Sequence, residues 1–162
     1  MNLSGTRPAV SDVRLRQLVL DLAASPQRWL HLVEYDPARR WYQRLLREED
    51  REVWLLSWLP GQRTGFHDHG RSAGAFTVVQ GCLRERTAPG GRPEAAGAML
   101  LPGSVRSFGP RYIHDVGNES AAPAVSVHAY SPPLSAMSYY AVEGGVLRRR
   151  RSELVDPGTP PE

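Results

Sequence analysis

Lysine is missing: all twenty basic residues among the 162 are arginine. That usage reads as a compositional habit of the source rather than as twenty chosen guanidinium sites. Cysteine is nearly missing as well. Cys82 stands alone, which excludes an internal disulfide and fits a reducing compartment. No apolar run reaches the length that spans a membrane, and the first residues lack the basic-then-apolar order of a signal peptide. A cytoplasmic chain with no membrane partner is therefore expected. The pI of 9.4 invites a nucleic-acid reading, but the basic excess is local. Arg148 to Arg151 form a run of four, and without them the formal net charge moves from +3 to −1. The body is near neutral, so the run reads as a solvated edge or tail, and no nucleic-acid partner is expected.

What is present is concentrated in residues 61–81, GQRTGFHDHGRSAGAFTVVQG. His67 and His69 stand one residue apart, so in a strand both imidazoles point one way while Phe66 and Asp68 point the other. Neutral imidazole is the commonest ligand for first-row metals, and two on one strand make half a site. An isolated His-x-His is more often a surface or hydrogen-bonded pair than a ligand set. The second informative stretch is PAVSVHAYSPP, residues 123–133. As a regular strand it puts Val125, Val127 and Ala129 on one face and Ser126, His128 and Tyr130 on the other. A buried polar ladder is costly unless its members hydrogen-bond to one another or to something bound. Either that face is exposed, as in a half-buried strand, or it lines a cavity inside a small antiparallel barrel.

The length suits one domain. We expect a loose N-terminus over residues 1–10, one domain over 11–150 and a disordered tail over 151–162. Within the domain, residues 11–47 read as helices. Ser11 is a candidate N-cap, followed by Val13, Leu15, Leu18, Val19 and Leu22 at amphipathic spacing. Ser25-Pro26 opens a second helix carrying Trp29, Leu30 and Val33, and Asp36-Pro37 breaks it before a short turn leading to Tyr42. Residues 50–150 read as a β-barrel. Short Val-, Trp-, Tyr-, Phe- and Thr-rich segments alternate with Gly and Pro turns at 52–59, 65–69, 74–80, 82–87, 95–101, 104–108, 111–117, 124–130, 137–142 and 145–149. No internal repeat is visible.

The glycines around the histidine pair add specificity. Gly61, His67, His69, Gly74 and Gly81 follow a spacing that resembles the first motif of the cupin superfamily, G-x5-H-x-H-x4-E-x6-G, with Gly74 in place of the glutamate. His114 and Asn118 resemble the H-x3-N end of the second motif. Together, His67-Asp68-His69, Gly81, Tyr112 to Asn118 and S-V-H-A-Y-S-P-P from Ser126 to Pro133 resemble the cysteine dioxygenase family of thiol dioxygenases, in its bacterial form, over roughly residues 12–145. The resemblance implies a mainly β cupin fold, a small antiparallel barrel or jelly roll with N-terminal α-helices.

It also implies a site. His67, His69 and His114 match the ligands of one ferrous ion per chain. Tyr42-Gln43-Arg44 is similar to the family's Y-x-R segment, so Arg44 is expected to grip the substrate carboxylate with Tyr42 beside it, although Arg39, Arg40, Arg44 and Arg47 crowd this region. Tyr130 is expected over the iron, bonding substrate or oxygen adduct and held by His128 and Ser126. Animal members link that tyrosine to a cysteine. Here the matching position is Gly74 and Cys82 lies eight residues on, so no Cys-Tyr crosslink is expected. The implied activity is oxidation of L-cysteine with O2 to cysteine sulfinate by a cytoplasmic monomer. Gln43 leaves room for a 3-mercaptopropionate or other small-thiol dioxygenase, and the fold alone also admits a non-catalytic metal-binding sensor. His31 receives no role.

Overall fold

Two antiparallel sheets face one another in the computed structural model, which describes residues 9–156. In chain order the elements are α1 (Asp12–Ala23), β1 (Trp41–Arg47), β2 (Glu52–Trp58), β3 (His67–Asp68), β4 (Ala73–Gln80), β5 (Leu83–Thr87), β6 (Ala98–Leu100), β7 (Val105–Phe108), β8 (His114–Gly117), β9 (Ala124–Ser131), β10 (Ala136–Glu143) and β11 (Val146–Leu154). One sheet has the order β1-β2-β9-β4-β7 and the other β11-β10-β3-β8-β5-β6. The sheets form a jelly-roll sandwich. Among the described residues they do not close into the single hydrogen-bonded barrel that the strand spacing led us to expect.

The first sheet is covered on both faces, which explains why β2 and β9 are buried along their whole length. Odd-numbered side chains Val53, Leu55, Ala75, Val125, Val127 and Ala129 pack under α1, which contributes Leu15, Val19 and Leu22 at helical spacing. Even-numbered side chains, among them Trp54, Leu56, Trp58, Phe76, Val78 and Tyr130, point into the space between the sheets. The polar ladder of β9 therefore faces the interior rather than solvent.

Several expectations need correcting. The second helix after Ser25 is replaced by two 3-10 turns, Pro26–Arg28 and Leu30–Leu32. Trp29 leaves helical backbone at φ −140° and turns back so that its indole N–H donates to the Leu22 carbonyl at 2.8 Å. Residues 41–47 are strand, not helix: Trp41, Tyr42, Leu45 and Leu46 are half-buried, and β1 pairs with β2 as an edge strand. Nor does the tail begin at Arg151. β11 runs on to Leu154, opposite Ala136, and the Val155 N–H donates to Ser135 O. At the other end, the Val10 N–H donates to Ser131 Oγ at 2.7 Å. The rest of the loose terminus and of the disordered tail, residues 1–8 and 157–162, lies outside the described residues.

Candidate metal centre

β3 is only two residues long because glycines with left-handed backbone, Gly65 at φ 72° and Gly70 at φ 59°, bend the chain on either side of the HDH segment. Asp68 anchors it from behind, accepting from the Gly70 N–H at 2.8 Å and the Tyr140 hydroxyl at 2.6 Å. His67 and His69 emerge on the same side, with their Nε2 atoms 3.2 Å apart. His114 pairs directly with His67 across β3 and β8. One ring nitrogen of each of the three lies within 4.8 Å of the others, and all three residues are buried.

This donor set fits a metal ion. Two imidazole nitrogens each about 2.1 Å from a shared ion and at roughly right angles stand about 3 Å apart. Burial, reinforced by the neighbouring imidazoles, holds His67 and His69 well below the usual histidine range, so both are neutral and offer lone pairs. Their outer atoms are fixed too. His67 Nδ1 donates to Gly65 O at 2.9 Å, and His114 Nδ1 donates to Glu85 Oε1 at 2.9 Å, leaving Nε2 as the inward atom of each ring.

Glu85, on β5, was not singled out from the sequence. Its carboxylate is 3% exposed and also accepts from the Tyr112 hydroxyl and Arg106 Nε. The signal was there: Leu83 and Glu85 share a face of a strand, and an acid in register with a core leucine needs a buried partner.

Gly74 sits opposite both Phe108 and Tyr130 in the first sheet. A Cβ there would meet the Phe108 ring, 2.7 Å from Cε2, and the Ala129 carbonyl oxygen at 3.1 Å. The Phe108 ring fills that space and stacks on His69 at 5.1 Å. A carboxylate or a cysteine at position 74 would first have to displace the Phe108 ring. Cys82 lies on the turn after β4 and lines a surface hollow with Met99 and Glu119.

Above the histidines runs a buried chain of polar groups. The Trp58 indole donates to Ser126 Oγ at 2.9 Å, Ser126 Oγ meets His128 Nε2 at 2.8 Å, and His128 Nδ1 meets the Tyr130 hydroxyl at 3.4 Å. His128 is neutral: burial, with smaller contributions from His114 and Arg40, lowers its pKa to about 3. Trp58 can only donate, and with Ser126 donating to Nε2 the His128 Nδ1–H donates to the phenol oxygen, which leaves the Tyr130 O–H to donate into the pocket. Burial, with the charge of Glu52, raises the Tyr130 pKa, which keeps that proton in place. Its ring lies 4.9 Å from that of His69.

The pocket is lined by the three histidines, His128, Tyr130, Leu56, Trp58, Thr64, Val116 and Arg40. Arg44 and Tyr42 are not among them, which corrects the expected carboxylate grip. Tyr42 and Arg44 pair with Leu56 and Trp54, and the Arg44 guanidinium stacks on Trp54 at 5.5 Å, one step further from the histidines. Tyr42 stands edge-on to Trp54 at 6.1 Å. The arginine that reaches the pocket is Arg40, whose guanidinium lies 5.0 Å over the Trp58 ring. Asn118 is structural: its Nδ2 donates to the Trp58 and Ala122 carbonyls.

Comparison with known proteins agrees with this geometry. The family model for cysteine dioxygenase type I matches residues 6–143. Cysteine dioxygenase type 1 of Danio rerio is 27% identical over 137 residues, covering 77% of this chain and 67% of that protein. Among solved structures, a Thermus thermophilus protein superposes with a TM-score of 0.56 at 26% identity, over 64% of this chain and 93% of its own. A cupin superfamily protein from Desulfitobacterium hafniense superposes with a TM-score of 0.54 at 12% identity, over 64% of this chain and 87% of its own. The cupin fold and the N-terminal helix were thus read correctly from the sequence. No helix among the described residues is long and apolar enough to cross a membrane.

Proposed function

Since the chain belongs to the cysteine dioxygenase type I family, we propose that it is an iron-dependent thiol dioxygenase converting L-cysteine and O2 to cysteine sulfinate. What supports this reading above all is the meeting of His67, His69 and His114 in one buried pocket with the Tyr130 phenol beside them. The reaction balances without a reductant: the thiol sulfur loses four electrons, dioxygen takes up four, and both oxygen atoms end on sulfur. Ferrous iron, when bound by the three histidines, supplies the redox chemistry that brings dioxygen and thiolate to reaction.

The chain's own residues bind and orient. Three neutral imidazoles add no negative charge, so a thiolate is drawn in more strongly than to a carboxylate-bearing site. Arg40 replaces Arg44 in our assignment as the group that pairs with the substrate carboxylate, its guanidinium placed over the Trp58 ring. Tyr130 donates its O–H to the reacting oxygen or sulfur, and His128 and Ser126 fix the direction of that proton. Leu56 and Val116 keep water from the reacting atoms. Tyr130 acts as an unmodified phenol, since Gly74 faces it. Every group comes from one chain, so a monomer suffices, and a single thiol at Cys82 suits the cytoplasm. Gln43 adds nothing to a 3-mercaptopropionate preference, because its exposed amide donates to Arg44 O at 3.1 Å, away from the pocket.

Oxygen uptake by the iron-loaded protein decides the matter. Uptake dependent on L-cysteine and on iron, and lost together with iron in His114→Ala, is expected. No uptake with L-cysteine, 3-mercaptopropionate or cysteamine would leave a metal-binding cupin without this catalysis.

A further inference from the structure

Outside the histidine pocket lies a larger cavity of about 390 Å³. It shares Arg40 and Thr64 with the inner pocket, where only about 10 Å³ is open. Those two residues are therefore the threshold, and whatever part of a substrate does not fit beside the histidines must extend past them. Four of the ten residues around the outer cavity are arginines, Arg39, Arg40, Arg63 and Arg151, and none is acidic. They come from three separate parts of the chain, and Arg151 belongs to the basic run at its end.

Arg39, Arg63 and Arg151 have partners of their own. Arg39 Nε lies 3.5 Å from Asp36, Arg63 is clamped by Asp115, and Arg151 stacks on Tyr139 at 4.3 Å while its Nε meets Glu153 at 2.8 Å. A guanidinium carries five N–H donors, so one carboxylate partner leaves others for a ligand. Four guanidinium groups brought to one cavity from three parts of the chain make it attractive to an anion. L-cysteine would not use it: with sulfur at the histidines and carboxylate at Arg40, the molecule ends at the threshold.

We propose that the outer cavity is an anion subsite, which lets the same site also take a small thiol carrying two carboxylates. This rests on the dioxygenase reading. The thiolate enters the histidine pocket, the first carboxylate pairs with Arg40, and the second lies between Arg39 and Arg151. The reaction at sulfur is unchanged, so no further reactant is required.

The test uses the full chain loaded with ferrous iron, with L-cysteine and 2-mercaptosuccinate as thiols and Arg39→Gln and Arg151→Gln as variants. Both side chains are more than half exposed, at 69% and 55%, so neither replacement disturbs the fold. The kcat/KM for 2-mercaptosuccinate is expected to fall about five- to tenfold in each variant, less than a buried charge-assisted hydrogen bond would give because both arginines are exposed. The value for L-cysteine should change less than twofold. An enzyme that oxidises L-cysteine but not 2-mercaptosuccinate, or variants that affect both thiols equally, would overturn the subsite. Calorimetric titration with succinate separates this from the chemistry. If no thiol is oxidised, the dioxygenase reading fails. Succinate binding that weakens in both variants would then still support the subsite, and absence of binding would sink it.

Discussion

Replacing Glu85 by glutamine perturbs the third histidine without touching it. The Glu85 carboxylate accepts from His114 Nδ1 at 2.9 Å and from Tyr112 at 3.2 Å on one oxygen, and from Arg106 Nε at 3.0 Å on the other. Glutamine keeps the length and one acceptor oxygen, so His114 retains a partner but a neutral one. A hydrogen bond to a charged group contributes roughly 1.5–3 kcal/mol against about 1 kcal/mol for a neutral pair. The difference, about 0.5–2 kcal/mol, corresponds to metal binding weaker by about two- to thirtyfold, near the low end of what outer partners of ligating histidines contribute. Arg106 loses its counter-charge, but its side chain is 43% exposed and can turn to water. The assay is chelator competition for ferrous iron, with zinc as an air-stable check, alongside thermal melting of the metal-free protein to read the structural cost separately. Affinity within twofold of the parent chain, at unchanged melting temperature, would refute the idea that this buried carboxylate strengthens the site through His114.

Three other outcomes follow from the same geometry. Arg40→Gln should raise KM for L-cysteine about tenfold or more while leaving cysteamine, which has no carboxylate, unchanged; Arg44→Gln should alter KM little, and the opposite ranking would restore the Y-x-R assignment. Tyr130→Phe should slow or uncouple oxygen uptake more than it weakens iron binding, and an undiminished, coupled rate would remove the phenol from the chemistry. For pH, the folded pKa of His128 of about 3 lies below the unfolded value of about 6.5. Between those values the unfolded chain binds a proton that the folded chain refuses, so stability falls as pH drops below about 6.5, by up to about 1.4 kcal/mol per unit, and this contribution levels off below about 3. Melting of the metal-free protein from pH 7 to 5 should show a shallower decline in His128→Gln, and an identical slope would contradict the buried neutral imidazole.

The strands and the site were legible to different degrees, for physical reasons. β2 and β4 were legible as β-rich runs between Gly and Pro turns, and the two faces of β9, sorted between α1 and the interior, gave the Ser126-His128-Tyr130 ladder directly. The histidine pair was legible because imidazoles one residue apart share a strand face and stand at fixed offsets from Gly61, Gly74 and Gly81. The helix over Ser25 to Val33 was misread because Pro26 and Trp29 have helical company in sequence, while the Trp29 indole is drawn to the Leu22 carbonyl. The choice among Arg39, Arg40 and Arg44 depended on the register of β1 against β2, and one pairing step separates Trp54 from the pocket-lining Leu56. No local pattern encodes that register in a strand whose outward edge is open. Glu85 was hidden for a related reason: its partners, Arg106, Tyr112 and His114, are all distant in sequence.

The distribution of charge around the pocket explains why position 74 is glycine. A carboxylate on the metal would cancel part of the charge that attracts a thiolate, and Phe108 occupies the place where it would stand. The nearest carboxylate that touches a ligand, among the described residues, is Glu85, and it lies behind His114, where Arg106 neutralises it. On the opposite side stands Arg40, whose positive charge is felt at His67, His128 and Tyr130. The arginines of the outer cavity and Arg40 therefore draw an anionic thiol in past Thr64, toward a pocket whose histidines are neutral. Moving the negative charge one shell outward lets the protein hold an ion firmly without lowering its pull on the substrate.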